Sequence, residues 1–161
     1  MKKVSFITHA AAIAALYVVL TMLANSMGLA NYAIQVRFSE ALTILPFFTP
    51  AAIPGLFIGC LISNTLCGSI VIDIIFGSIA TLIGAIGTYM IRKHLPSWCA
   101  CLPPILANTI IIPFILAYAY HLDGGVPYFM LTVGIGEVIS CGILGILLLT
   151  ILKKYRNVLF Q

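Results

Sequence analysis

Apolar runs long enough to cross a bilayer recur along this chain, and only short polar breaks separate them. A membrane-crossing helix needs about 20 predominantly apolar residues. Four stretches meet that requirement plainly: Val4 to Leu23, Ser69 to Ile91, Trp98 to Tyr120 and Pro127 to Leu152. Lipid offers a bare backbone no hydrogen bonds, so such runs fold as helices. Little of the 161 residues is left over for a soluble module. The expectation is an all-α integral membrane protein with one domain, residues 1–157. Val158-Leu-Phe-Gln161 reads as the remnant of a site used to remove purification tags. Met1 to Leu23 has the charged start and apolar run of a signal peptide, but the further spans favour a retained first helix.

Arg37 to Cys67 reads either as one span of about 30 residues or as two short ones broken around Phe48-Thr-Pro50, because proline interrupts a helix. Charge decides between them. Lys2, Lys3, Arg92, Lys93, Lys153, Lys154 and Arg156 all lie in polar breaks. Five crossings would place Arg92, Lys93, Lys153 and Lys154 opposite the N-terminal lysines. Six crossings bring every basic cluster to the cytoplasmic side, as the positive-inside rule requires. The reading is therefore six transmembrane helices with both termini cytoplasmic. At 1.5 Å per residue, Phe38 to Phe48 covers only about 17 Å. The middle helices are thus expected to be tilted, re-entrant or shielded, as irregular backbone that lines a cavity often is.

The chain has four acids: Glu40, Asp73, Asp123 and Glu137. Six crossings place all four on the outer side or in the outer half. Counted inward from the outer helix ends, Asp73 lies at about 6 Å, Glu137 at about 15 Å and Asn108 at about 18 Å. These positions outline a polar cavity open to the outside. A charge at the bilayer centre costs roughly 3 kcal/mol even on the lenient insertion scale, so such residues face inward and usually serve function. Arg37 and Glu40, three apart, either share a helix face and neutralise each other or belong to a site. Asp73 and Glu137 have no such sequence neighbour and call for a cation or a donor-rich ligand. Tyr32, Phe38, Phe76, Tyr118, Tyr120, Tyr128 and Phe129 supply rings for stacking, or else core and interfacial packing. Trp98 reads as an interfacial anchor.

The net charge of +4 comes from the polar breaks and forms no nucleic-acid groove. Five cysteines at Cys60, Cys67, Cys99, Cys101 and Cys141 match no zinc or redox spacing and read as small apolar fillers. Gly134-Ile-Gly136 lacks the strand-turn-helix setting of a dinucleotide site and reads as close packing around Glu137. Gly77, Ala80, Gly84 and Gly87 on one face of the span read as packing too. His9, His94 and His121 sit near span ends, no nucleophile motif appears, and no enzyme, metal site or cofactor is expected. There is no phosphate loop, so pumping would need another subunit or an ion gradient. Ala10 with Ala14 and Ala11 with Ala15 make overlapping small-xxx-small pairs, suited to internal packing or to a partner helix.

Ala33-Ile-Gln-Val-Arg-Phe-Ser-Glu-Ala-Leu-Thr-Ile-Leu-Pro46, then Pro54-Gly-Leu-Phe-Ile-Gly-Cys-Leu-Ile-Ser-Asn64, resembles the queuosine-precursor transporter (QueT) family. The Ala-rich first helix, Val71-Ile-Asp73-Ile and Gly136-Glu137 extend the resemblance over nearly the whole chain. It implies the substrate-binding S component of an energy-coupling factor (ECF) importer, with an ECF S-component-like bundle. A separate transmembrane T component and two ATPase subunits would then supply the energy. Ala10, Ala11, Ala14 and Ala15 would dock the T component, and the S component would topple to carry its cavity inward. The implied ligand is a 7-deazaguanine such as preQ1, or queuine. The resemblance gives a substrate-binding set of Arg37, Glu40, Asn64, Asp73, Asn108 and Glu137. Within it, Glu137 takes the guanine edge, Asp73 or Glu40 the ammonium, and Asn108 or Asn64 the carbonyl side. A proton-coupled secondary transporter of a small cationic solute, with Asp73 or Glu137 as protonation site, is the alternative.

Overall fold

A computed structural model describes residues 3–29 and 35–155. Lys2, Tyr32, Arg156 and the 158–161 segment, all named above, lie outside the described residues. The described residues contain helices and no strand. Four helices are long and apolar enough to cross a membrane: α1 (Lys3–Ser26), α3 (Val71–Ile91), the helix Ser97–Tyr118, and the 29-residue rod Val126–Lys154. Two shorter apolar helices complete the bundle, a 3-10 helix over Phe38–Phe47 and α2 over Ala52–Leu66. Ser97–Tyr118 is a 3-10 turn, Ser97–Cys101, continued by α4 (Leu102–Tyr118). The rod comprises α5 (Val126–Glu137), a π-helical stretch Val138–Gly145 and α6 (Ile146–Lys154). This is an integral membrane helical bundle, and the chain is a multi-pass membrane protein.

The region that sequence leaves open, Arg37 to Cys67, forms two helices broken at Phe48–Ala51, the placement expected from Pro50. The first differs in kind from an α-helix. It is a ten-residue 3-10 helix with Pro46 inside it, and the Leu45 carbonyl accepts from both Phe48 and Thr49 N–H. A 3-10 helix rises about 2.0 Å per residue, so these ten residues span about 20 Å. Gly28 (φ 75°) and Gly68 (φ 74°) follow the ends of α1 and α2 in the left-handed conformation that glycine adopts without strain. Proline opens α4 and α5, where its missing N–H has no helical partner in any case.

Packing reverses the rule for soluble proteins. Large side chains such as Val4, Leu16, Val19, Ile75, Ile83, Phe114, Leu131 and Ile143 point outward, and the interior holds many small and polar residues beside its large apolar ones. α1 and α2 run parallel and nearly touch. A Cβ on Gly55 would lie 2.7 Å from the Ala10 carbonyl oxygen, and one on Gly59 would lie 2.8 Å from Tyr17 Cβ. α3 meets α4 in the same way, with Gly84 against Pro104 and Gly87 against Pro103. Gly84 and Gly87 of the small-residue face are therefore a helix-helix contact, whereas Gly77 lines the inner chamber beside Asn64. The central core joins Tyr17, Leu42, Ile44, Leu56, Cys60, Ala85, Cys141 and Leu149.

The two ends of the bundle differ in charge. At one, Lys153 Nζ donates to Ser97 Oγ and the Arg92 guanidinium lies 3.5 Å from the centre of the Tyr89 ring. At the other, the Ile70 N–H donates to Tyr120 Oη at 3.3 Å, beside Asp73.

Candidate functional site

The extended segment at Gln35–Arg37 and the 3-10 helix thread between α1, α2 and the rod, and two polar cavities open around them. The outer vestibule has a volume of about 270 Å3 and includes Asn25, Gln35, Arg37, Asn64, Asp73 and Tyr120 in its wall. The inner chamber, about 30 Å3, includes Glu40, Cys60, Thr81, Asn108 and Glu137. Gln35, Arg37 and Ile112 line both, and so stand at the junction.

All six expected substrate-binding residues lie on these walls. Glu40, Asn64, Asp73, Asn108 and Glu137 are each buried, and Arg37 is half-buried. Asn108 Nδ2 donates to Glu137 Oε1 at 2.8 Å and stands 3.5 Å from Glu40 Oε2. The other oxygen of Glu40 accepts from Tyr17 Oη. Glu137 Oε2 is buried and has no hydrogen-bond partner among the described residues. A buried acceptor left in that state costs about 1–3 kcal/mol, more when charged.

Two expectations need correction. Arg37 and Glu40 do not neutralise each other along a helix face. Arg37 precedes the helix in an extended conformation (φ −109°, ψ 114°), and its Nη1 donates to Asn64 Oδ1 at 3.3 Å. Asp73 also has a partner within the chain, because Tyr120 Oη donates to Asp73 Oδ2 at 2.9 Å. Of the carboxyls on these walls, Glu137 is the one left with a buried oxygen unsatisfied among the described residues.

The aromatic residues considered for stacking mostly sit elsewhere. Tyr120 lines the vestibule, Phe76, Tyr118 and Tyr128 face outward, and Phe129 packs with Leu116 and Val133. Two residues of α1 at the site go unmarked by sequence reasoning. Tyr17 lies behind the inner chamber, its hydroxyl on Glu40, and Thr21 lines the vestibule, where its Oγ1 donates to Ser39 Oγ at 2.8 Å and ties α1 to the 3-10 helix. The available signal is a hydroxyl-bearing aromatic within an alanine-rich span, since a buried tyrosine hydroxyl usually finds a partner. Gln35 belongs to the family-like segment but carries no role on sequence grounds.

Gly136 explains how the threading segment lies so deep. A Cβ there would overlap the Gln35 carbonyl oxygen, so only glycine lets backbone meet backbone. One turn on, Ser140 Oγ accepts from the Arg37 N–H at 3.1 Å. Both contacts lie beside the π-helical stretch, a feature found often at functional sites. On the outer flank of α1, Ala10, Ala11, Ala14 and Ala15 line an apolar groove of about 690 Å3 together with Pro54, Ile58 and Ile62 of α2. Ala11 and Ala15 are exposed, whereas Ala14 is buried against Gly59.

The profile of the family described as "QueT transporter" matches residues 7–154. A curated relative, the queuosine precursor transporter QueT of Lactococcus lactis subsp. cremoris (strain MG1363), is 42% identical over 73 residues, which is 45% of this chain and 43% of the relative. The aligned region thus spans less than half of that relative's length. No solved structure matches the chain. Residues 7–154 include both cavities and every wall residue described above, and the chain belongs to the QueT transporter family.

Proposed function

We propose that this chain is the S component of an ECF-type importer, capturing a queuosine precursor from outside the cell: a 7-deazaguanine such as preQ1, or queuine. Membership of the family and the name of the Lactococcus relative support the substrate class. The observation that carries the reading is Glu137, a buried carboxyl with one oxygen held by Asn108 and the other, in a polar chamber, without a partner among the described residues. The guanine edge presents paired N–H donors, which a carboxylate accepts. An aminomethyl cation adds a charge-assisted bond to a second carboxylate, Asp73 or Glu40. Asn108 or Asn64 faces the carbonyl side. The vestibule lies just under the roughly 300–1,000 Å3 of ordinary small-molecule pockets. For the base to reach Glu137, Arg37 moves aside at the junction.

The rest of the proposal follows the charges. The protein sits in the bacterial cytoplasmic membrane, its basic end and both termini in the cytoplasm and its vestibule outside. Residues 1–157 act as one domain, with 158–161 a tag remnant. A T component docks on the groove containing Ala10, Ala11, Ala14 and Ala15, and two ATPase subunits hydrolyse ATP. The chain itself performs no catalysis and requires no cofactor. The Glu137 oxygen without a partner among the described residues also suits a second reading, a proton-coupled secondary transporter, which would show uptake without any ATPase.

Calorimetric titration of the purified chain with preQ1, with guanine and riboflavin as controls, tests the ligand. Saturable binding of preQ1 is expected. Glu137→Gln loses about 1.5–3 kcal/mol, or roughly 10- to 150-fold in affinity, as expected for a hydrogen bond to a charged group. Folded protein that fails to bind preQ1 overturns the assignment.

A further inference from the structure

The inner chamber holds more acid than its basic partner offsets. Glu40 and Glu137 both face one amide nitrogen, Asn108 Nδ2, at 3.5 and 2.8 Å. Around them stand Tyr17 from α1, Cys60 from α2, Thr81 from α3, and Cys141 from the π-helical stretch of the rod. Asp73 lies further out, in the vestibule wall. Among the described residues, Arg37 is the lone Lys or Arg on the walls of the two cavities, and its guanidinium donates to Asn64. One positive charge therefore faces two inner carboxyls. Glu137 is 9% exposed, and its Oε2 lies buried at the chamber without a donor among the described residues. Two carboxyls that share a buried site cannot both ionise freely, and they titrate as a pair.

We propose that the Glu40–Glu137 pair holds a single proton while the cavity is empty, and that a cationic, donor-rich ligand expels that proton as it binds. This rests on the ligand reading above. The exchange balances. A carboxyl that carries a hydrogen cannot accept both edge donors of a guanine and cannot offset an ammonium. As the ligand enters, the O–H bond breaks, the proton leaves through the vestibule to water, and the freed lone pair accepts a ligand N–H. One positive charge enters the two cavities as one departs, so their walls and contents together keep their net charge, with the ammonium at Glu40 or at Asp73. The device also explains how Glu137 Oε2 is tolerated in the empty state, since a neutral carboxyl costs far less to bury than an unpaired anion.

The test is calorimetry of the unaltered chain with preQ1 at neutral pH, in buffers of differing ionisation enthalpy, together with difference infrared spectroscopy. The buffer slope is expected to report about one proton released per ligand. The empty protein should show a carboxylic-acid C=O band that disappears on adding preQ1 and is missing from Glu137→Gln. Binding with a slope of zero, or an empty protein without the acid band, overturns the inference and leaves the ligand reading standing. No binding at all overturns the ligand reading and, with it, the exchange. The buffer slope and the loss of the band on adding preQ1 are read on the unaltered chain and decide the outcome without the variant.

Discussion

Tyr17 is 1% exposed, and its hydroxyl donates to Glu40 Oε1. Removing that oxygen leaves Glu40 Oε1 without its donor, a loss of about 1–3 kcal/mol. Tyr17→Phe is therefore expected to lower the melting temperature in detergent and to weaken preQ1 binding roughly tenfold, the equivalent of about 1.4 kcal/mol. Unchanged melting and affinity would show that Glu40 needs no such anchor. The sequence reveals Glu137 and Asn108 more readily than Tyr17, and the reason is physical. A polar atom within an apolar run declares its own cost, whereas a tyrosine in a span is commonplace until its partner is known. Glu40 lies 23 residues away on a different helix, and no periodicity links them. Asp73 shows the converse. Its charge stands out in the sequence, but its partner Tyr120, 47 residues on, reads there only as a ring.

At the level of elements, the threading segment is held by contacts that spacing does not encode. Gly136 admits the Gln35 carbonyl, and Ser140 binds the Arg37 N–H. Gly136→Ala drives a methyl into a backbone oxygen that cannot swing away. It is expected to cost about 1–3 kcal/mol, the range of an overpacked core, and to abolish measurable preQ1 binding by displacing Arg37. Gly134→Ala makes the matched control. Its methyl meets the Thr109 side chain at 3.5 Å, an ordinary contact, so melting and binding should stay near wild type. Equal damage from both variants would refute a special role for Gly136. Helix ends are legible in the sequence to within a few residues, because hydropathy, the charged breaks and Pro50 mark them. The 3-10 geometry of Phe38–Phe47 and the π geometry of Val138–Gly145 are not, since both depend on neighbours. A Cβ on Gly145, for example, would meet Ile44 Cγ2 at 3.2 Å across the bundle.

For the whole molecule, the proposed orientation turns on which end faces outward, and one native cysteine reports on it. Cys60, Cys99, Cys101 and Cys141 are buried, whereas Cys67 is partly exposed and lies in the vestibule wall near Asp73. Ser97, beside Lys153, marks the opposite end. A membrane-impermeant maleimide applied to intact cells should label Cys67 without permeabilisation. A cysteine introduced by Ser97→Cys, in a chain carrying Cys67→Ser, should react only after the membrane is opened. Labelling of Cys67 only after permeabilisation would invert the orientation and place the cavity mouth in the cytoplasm. The same thiol senses occupancy, because a ligand held between Asp73 and Glu137 covers the vestibule wall. Saturating preQ1 should therefore slow Cys67 labelling several-fold and leave the Ser97→Cys rate unchanged. Slowing at both ends would indicate a general tightening of the bundle, and no slowing at either end would place the ligand outside the vestibule.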